Sequence, residues 1–333
     1  MSTHLFGAVI TAYGTAANNR GENEGNTTTL QKLLWKGDVH TTVSAEAIRW
    51  AIRYHWQRRA ELGEPRLRTN RTWDDIAEDN RLKDSTWKVW NAEDLKAKPH
   101  ETFIDDDVLG FMLAEGAKLE GDASEGDDDG KKAGKGKAKK PAKGTISKRR
   151  GVLEVTRAVS LSPFAGDITF NAKSGTKGST SLYSTEVHAT RYQYGFALTP
   201  ARLAVRARVL DVIDAIVGLG EVAGNHSRFL YDFSPESIVL RITDDMAPRL
   251  LYCFEQQANR VTFPQLVARV KAGDIRPDEL IIGGPVADSP DGQQIAQLGA
   301  RVFPGVRGAA DAAREALRSR PDLRDAFAAE KAP

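Results

Sequence analysis

The segment His4-Leu5-Phe6-Gly7-Ala8-Val9-Ile10-Thr11-Ala12-Tyr13 constrains the rest of the chain most. Its β-branched and aromatic content predicts a strand, and its nearly unbroken apolar run suits a sheet interior. It breaks at Gly14, and Asn18 to Asn26 is polar enough to predict a long loop, functional or disordered. After an apolar patch at Leu30, Leu33, Leu34 and Trp35 comes Lys36 to Ser44, then a helix with Ser44 as N-cap and Glu46 in its first turn. Ile48, Ala51, Ile52 and His55 share one face of that helix, Arg49 and Arg53 another. Two readings follow: a core helix with a solvated arginine face, or a helix whose free N-terminal amides and arginines meet a polyanion.

A chain of 333 residues with a net charge of +2 can bury a proper core and carries patches of both signs. A single cysteine, Cys253, excludes an internal disulfide and a thiolate zinc cluster and fits a reducing cytoplasm. No apolar run reaches membrane-spanning length and no signal peptide pattern opens the chain, so the expected location is cytoplasmic.

Trp73, Trp87 and Trp90 sit among charges, either as anchors of a small helical subcore or as base-stacking groups. Asp105, Asp106 and Asp107 invite a hard metal ion, but consecutive side chains diverge, and Asp105 with acids behind it also reads as a helix cap. From Glu115 to Lys148 an acidic run gives way to a Lys/Gly-rich one that cannot support a core; its basic half is either a sequence-blind grip on nucleic acid or a solvated spacer.

Gly151 to Leu161 alternates as a strand. Ser162 to Arg191 reads as two extended arms around a basic tip, where Phe164 and Phe170 with Lys173, Lys177 and Arg191 would wedge between bases and hold phosphates, or form a plain meander. Thr199-Pro200 predicts a helix with Leu203, Ala207, Leu210, Ile213 and Val217 buried, and strands are expected at Phe229 to Phe233 and Ser237 to Thr243. Between them the glycine-rich Gly218 to Arg228 follows a helix and precedes a strand, the reverse of a dinucleotide fingerprint; Asn225, His226, Ser227 and Arg228 there suit an RNA backbone. Thr262 to Pro333 alternates helix and strand.

The expected class is α+β, with a strand and helix order that is ferredoxin-like, and an open sheet of that kind is a common RNA platform. The stretch Ser44 to Arg53 after its polar loop, the run Asp105 to Met112, the segment Arg157 to Phe170 and the loop Gly218 to Phe233 resemble the DevR-type CRISPR-associated proteins of the RAMP superfamily, the backbone subunit of type I, I-B-like, Cascade. The resemblance implies an RRM-like palm made discontinuously of residues 1–56, 101–112 and 149–260. To it are added a helical finger insertion at 57–100, a disordered charged insertion at 113–148, a thumb hairpin at 162–191 and a small α/β appendage at 261–333. It further implies copies stacked head to tail along a guide crRNA, gripped without reading sequence while its bases pair with target DNA, beside the small end-capping and large Cascade subunits. By position, Asn18, Asn19, Arg20, Lys36, Arg49, Arg53 and Asn225 to Arg228 are the expected RNA contacts, with Phe164, Lys173, Lys177 and Arg191 from the thumb. No cofactor, metal or catalytic residue is expected. Alternatives are a standalone RRM-like RNA-binding or regulatory protein, and a metal-dependent RNA endonuclease using Asp38 with the triple aspartate.

Overall fold

The computed structural model describes residues 2–18, 20–72, 102–114, 146–172, 182–224, 228–257 and 260–328. It is mixed α+β. The main sheet contains β1 (His4–Thr11), β2 (Lys32–Trp35), β3 (Asp38–Val43), β4 (Glu154–Val155), β5 (Ala158–Ser160), β6 (Tyr192–Leu198), β7 (Pro235–Thr243), β8 (Leu280–Gly283) and β9 (Arg301–Phe303). Among the described residues the helices are α1 (Ala45–Glu61), α2 (Ile104–Val108), α3 (Arg208–Val217), α4 (Pro264–Lys271), α5 (Pro290–Gln297), α6 (Val306–Arg318) and α7 (Arg324–Ala328). The strands run β9-β8-β7-β1-β6-β5-β3-β2, with β4 also on β6. Within this sheet, among the described residues, only the β8–β9 pair is parallel. In the middle, β7-β1-β6-β5, helix α1 joins β1 towards β5 and α3 joins β6 to β7.

The apolar run of β1 is explained by burial on both faces. Leu5 and Val9 face a core with Ile48, Ile52 and Trp56 of α1, Val212, Ile213 and Ile216 of α3, and Ala309, Ala313 and Leu317 of α6. Phe6, Ala8 and Ile10 face the other core, with Phe254, Phe263 and residues of α4 and α5. The open sheet face expected as an RNA platform is therefore closed over β1, because the chain after β7 folds back across it. Small side chains let α6 lie close: a Cβ on Gly283 would come within 2.5 Å of Ala309 Cβ.

Three local expectations are corrected. The polar loop after Asn18 is instead a hairpin of strands Arg20–Glu24 and Thr27–Leu30, turning at Gly25 (φ 62°). Threonines supply its strand preference where apolar alternation is missing. It joins Ile168–Ala172 and Leu182–Glu186 in a four-stranded sheet, Thr27 and Thr28 pairing in parallel with Ser184 and Thr185. The helix expected from Pro200 is interrupted: a single turn spans Pro200–Arg202 and α3 starts at Arg208. The intervening Ala204 and Val205 N–H groups donate to the Asp107 carboxylate at 2.8 and 3.1 Å instead of to helix carbonyls. Finally, the segment 229–233 is not a strand; Tyr231 and Phe233 are buried in the core, with the Phe233 N–H donating to Gly220 O at 2.9 Å.

Candidate nucleic-acid interface

Among the described residues, one end of the sheet gathers Lys36, Arg191 and Arg228 of the expected contacts. Here β1 ends, β6 and β7 begin, and the four-stranded sheet lies beside the segment Ser162 to Asp167. Tyr231 fastens this end: its hydroxyl lies 2.6 Å from Thr11 Oγ1 and donates towards Ala12 O and Thr190 O at 3.0 and 3.1 Å, and burial pushes its pKa up. His188 joins β3 to the segment after β5, with Nδ1 2.7 Å from Thr41 Oγ1 and Nε2 3.1 Å from Pro163 O. Burial is the main cause of its lowered pKa.

Exposed groups sit on this scaffold. Tyr13 is 56% exposed, and the Arg191 guanidinium stacks over its ring at 5.5 Å while donating to both Glu236 oxygens at 2.7 and 3.0 Å. Lys36 tops the β2–β3 hairpin, where it and Gly37 both take positive φ, 52° and 99°, the backbone of a two-residue turn whose twist suits a hairpin. Arg228 lies over Tyr183 at 5.1 Å and donates to its hydroxyl at 3.0 Å, tying the end of the glycine-rich loop to the strand Leu182–Glu186. Phe164 does not project. It packs edge-on against His188, 5.5 Å between centroids, under the Lys32 ammonium at 5.1 Å. Phe170, by contrast, is 81% exposed on the strand Ile168–Ala172.

Other expected contacts face inward. Asn18 is fully buried and donates from Nδ2 to Val222 O at 2.5 Å, fixing the glycine-rich loop beneath the site. Arg49 donates to Leu153 O at 2.7 Å and to Leu109 O; burial, then Arg53, lowers its pKa against the pull of Glu46. Arg53 donates through Nε to Asp105 at 3.1 Å. The expected solvated arginine face of α1 is thus corrected to an internal clamp: these guanidiniums satisfy carbonyls and a carboxylate that the core would otherwise strand. Arg20 opens the strand Arg20–Glu24. Asn19, Lys173, Lys177, Asn225, His226 and Ser227 lie outside the described residues, as do Trp73, Trp87, Trp90 and the Lys/Gly-rich run.

The triple aspartate forms a knot. The helix cap is Phe103, not Asp105, and all three acids are at most 1% exposed within α2. Asp105 accepts from the Asn70 and Arg71 N–H groups, Asp106 from Asn70 Nδ2, and Asp107 from Arg149 and Arg208 at 2.6 and 2.8 Å. These donors leave little of the acids for a cation. Among the described residues, no group of three or more His, Cys, Asp or Glu side chains could hold a metal ion, and Asp38 stands exposed at the start of β3. Nor is any helix there long and apolar enough to cross a membrane.

Sequence reasoning passed over Tyr13, Lys32 and Tyr183. The one signal was Tyr13, an aromatic that ends the apolar run just before a glycine, where a strand leaves the sheet.

The family model described as CRISPR-associated negative auto-regulator DevR/Csa2 matches residues 6–258. The chain belongs to this family. A Myxococcus xanthus (strain DK1622) protein described as CRISPR-associated protein Cas7/Cst2/DevR is 48% identical over 331 residues, covering 96% of this chain and 99% of that protein. Among solved structures, a chain of a CRISPR RNA-guided surveillance complex, pre-nicking, aligns with a TM-score of 0.55 at 11% identity, over 94% of this chain and 99% of that one. A chain of a second CRISPR RNA-guided surveillance complex aligns at 0.52 and 12%, over 95% and 99%. At such identities the likeness to the DevR/Csa2 protein described here is one of fold.

Proposed function

We propose that this DevR/Csa2 family member is the non-enzymatic backbone subunit of a type I, I-B-like, Cascade complex. In this reading the β7-β1-β6-β5 sheet with α1 and α3 is an RRM-like palm, and the strands Ile168–Ala172 and Leu182–Glu186 form the stem of a thumb. Copies stack head to tail along crRNA in the cytoplasm, holding its backbone without reading sequence and leaving bases free to pair with target DNA. The small end-capping and large subunits complete the assembly. The observation that carries the reading is full-length similarity to a protein described as Cas7/Cst2/DevR. The exposed Tyr13, Lys36 and Arg228, with the half-buried Arg191 that pairs with Glu236, support it by offering stacking surface and cations at one end of the sheet where a phosphate chain would run.

The test is to express the chain with its neighbouring genes, purify it and sequence the RNA that accompanies it. RNA of one length with repeat-derived ends is expected. Heterogeneous cellular RNA would make it a general RNA binder, and protein free of nucleic acid would return the reading to the regulator that the family description names.

A further inference from the structure

A cleft of about 350 Å³ opens beside Arg191, between the start of β7, the single turn Pro285–Asp288 and the strand Arg260–Thr262. Close backbone packing fixes its wall: Gly284 takes φ 103°, and a Cβ there would lie 2.2 Å from Glu236 O. Most of its polar groups are already committed. Arg191 holds both oxygens of Glu236, at 2.7 and 3.0 Å. Ser237 Oγ accepts from the Val286 N–H at 3.2 Å, and Ser289 Oγ donates to Val286 O at 2.7 Å while accepting from the Gly292 N–H at 3.0 Å. Two exposed side chains remain, Arg260 and Asp288. They line the same cleft without forming an ion pair with each other, and among the described residues neither side chain has a partner.

A guanidinium offers donors and no acceptor, a carboxylate acceptors alone. Together they suit a ligand that carries an anionic oxygen and a hydrogen-bond donor close to each other. A DNA backbone brings the phosphate but no donor. An RNA backbone brings both, since every ribose carries a 2′-hydroxyl, the group by which a protein can tell RNA from DNA. A base amino group would also satisfy Asp288, but only at some bases, whereas the sugar brings its hydroxyl at every position and agrees with a grip that ignores sequence. Arg191 is shared between this cleft and the stack on Tyr13, so a strand held at Tyr13 has the cleft beside it. We propose that Arg260 and Asp288 form a ribonucleotide subsite, Arg260 donating to a backbone phosphate and Asp288 accepting from a 2′-hydroxyl, through which the chain selects RNA over DNA. The inference rests on the RNA reading and deepens it: RNA is held as the guide in an assembly that also meets DNA.

The probes are short oligouridine, its 2′-O-methyl analogue and oligodeoxyuridine, with oligoadenosine in parallel, titrated by fluorescence anisotropy against the whole chain freed of bound nucleic acid in high salt. Wild type is expected to bind the ribose oligomer at least about threefold tighter than either analogue. Asp288→Ala removes an exposed, unpaired side chain, so the melting temperature is expected to stay within about a degree. It is expected to erase most of the preference by weakening RNA while leaving DNA unchanged or slightly tighter. Arg260→Gln is expected to weaken RNA and DNA alike and to lower the salt slope by about one. Equal binding of the three sugars by wild type, a preference that survives Asp288→Ala, or one that follows the base and not the sugar would overturn the subsite while the RNA reading stands. A wild-type chain that binds none of the oligonucleotides overturns the RNA reading, and the subsite with it.

Discussion

Asn70 donates from Nδ2 to Oδ2 of Asp106 at 2.7 Å, and among the described residues this neutral amide is the only hydrogen-bond partner of a carboxyl that is 1% exposed. Burial, then the charge of Asp105, raises the Asp106 pKa from 3.8 to about 7, against the smaller pulls of Asn70, Arg53 and Arg71. The folded state therefore holds a proton that the unfolded chain gives up at lower pH. Its stability is greatest below the unfolded value, falls as pH rises from about 4, and levels off above about 7, a loss on the order of a few kcal/mol. Asp106→Asn keeps the site neutral. It is expected to raise the melting temperature by several degrees at pH 8 and by little at pH 4.5. Thermal melts across that range check this, and a loss at pH 8 would contradict it.

The next residue should behave oppositely. Asp107 has no exposure and binds Arg208, Arg149 and two backbone N–H groups, so its charge is compensated from every side. Asp107→Ala leaves Arg208, itself 6% exposed and tied also to Thr102, without its carboxylate. A loss of about 3–5 kcal/mol is expected in urea unfolding. Two adjacent aspartates thus have opposite signs of effect because one is paired with cations and the other with an amide.

Guide retention separates the internal arginines from the surface cations. Arg49→Ala strands the carbonyls of Leu153 and Leu109, so any fall in RNA retention is expected to track a fall in melting temperature. Lys36→Ala and Tyr13→Ala touch exposed groups. They are expected to leave the melting temperature within about a degree while lowering retained RNA as salt is raised. Retention and melts measured on the same preparations distinguish the two classes, and unchanged retention in the Lys36 and Tyr13 variants would move the interface away from this end of the sheet.

How much of this could be read from the chain depended on whether a residue's partner was local. The strand at His4, the cap at Ser44 and the buried stripe Ile48, Ala51, Ile52 follow from periodicity alone. The roles of Arg49 and Arg53 do not, because their partners, Leu153 and Asp105, lie 104 and 52 positions away. An arginine row looks the same in sequence whether it faces water or an interior carboxylate. The hairpin at Arg20 to Leu30 was hidden for another reason: its polar strands are stabilised by pairing with the strand Leu182–Glu186, as where Thr28 meets Thr185, and not by a buried apolar face. The closed second face of the sheet was likewise invisible, since nothing in β1 names Phe254 and Phe263 as its cover.

The last prediction concerns the segment 261–333, whose alternating helix and strand pattern reads as a small α/β appendage. Its strands β8 and β9 extend the main sheet beyond β7, and Ala309, Ala313 and Leu317 of α6 share a core with β1. After α6 the chain returns to the start of the molecule: the Thr3 N–H and hydroxyl donate to Asp322 at 2.8 and 2.6 Å, and Arg320 donates to the same hydroxyl at 2.9 Å. Burial pushes the Asp322 pKa up, but the Thr3 hydrogen bonds, a backbone hydrogen bond of its own and the charge of Arg320 together leave it lowered, so this clasp is expected to weaken as pH falls into the carboxylate range. Asp322→Ala is expected to cost about 1–2 kcal/mol, read by urea unfolding at pH 7. A chain ending at residue 259 would expose the β7 edge and the apolar face of α3, and is expected to aggregate when expressed. A soluble, cooperatively melting product of that length would show instead that the sheet through β7 folds on its own.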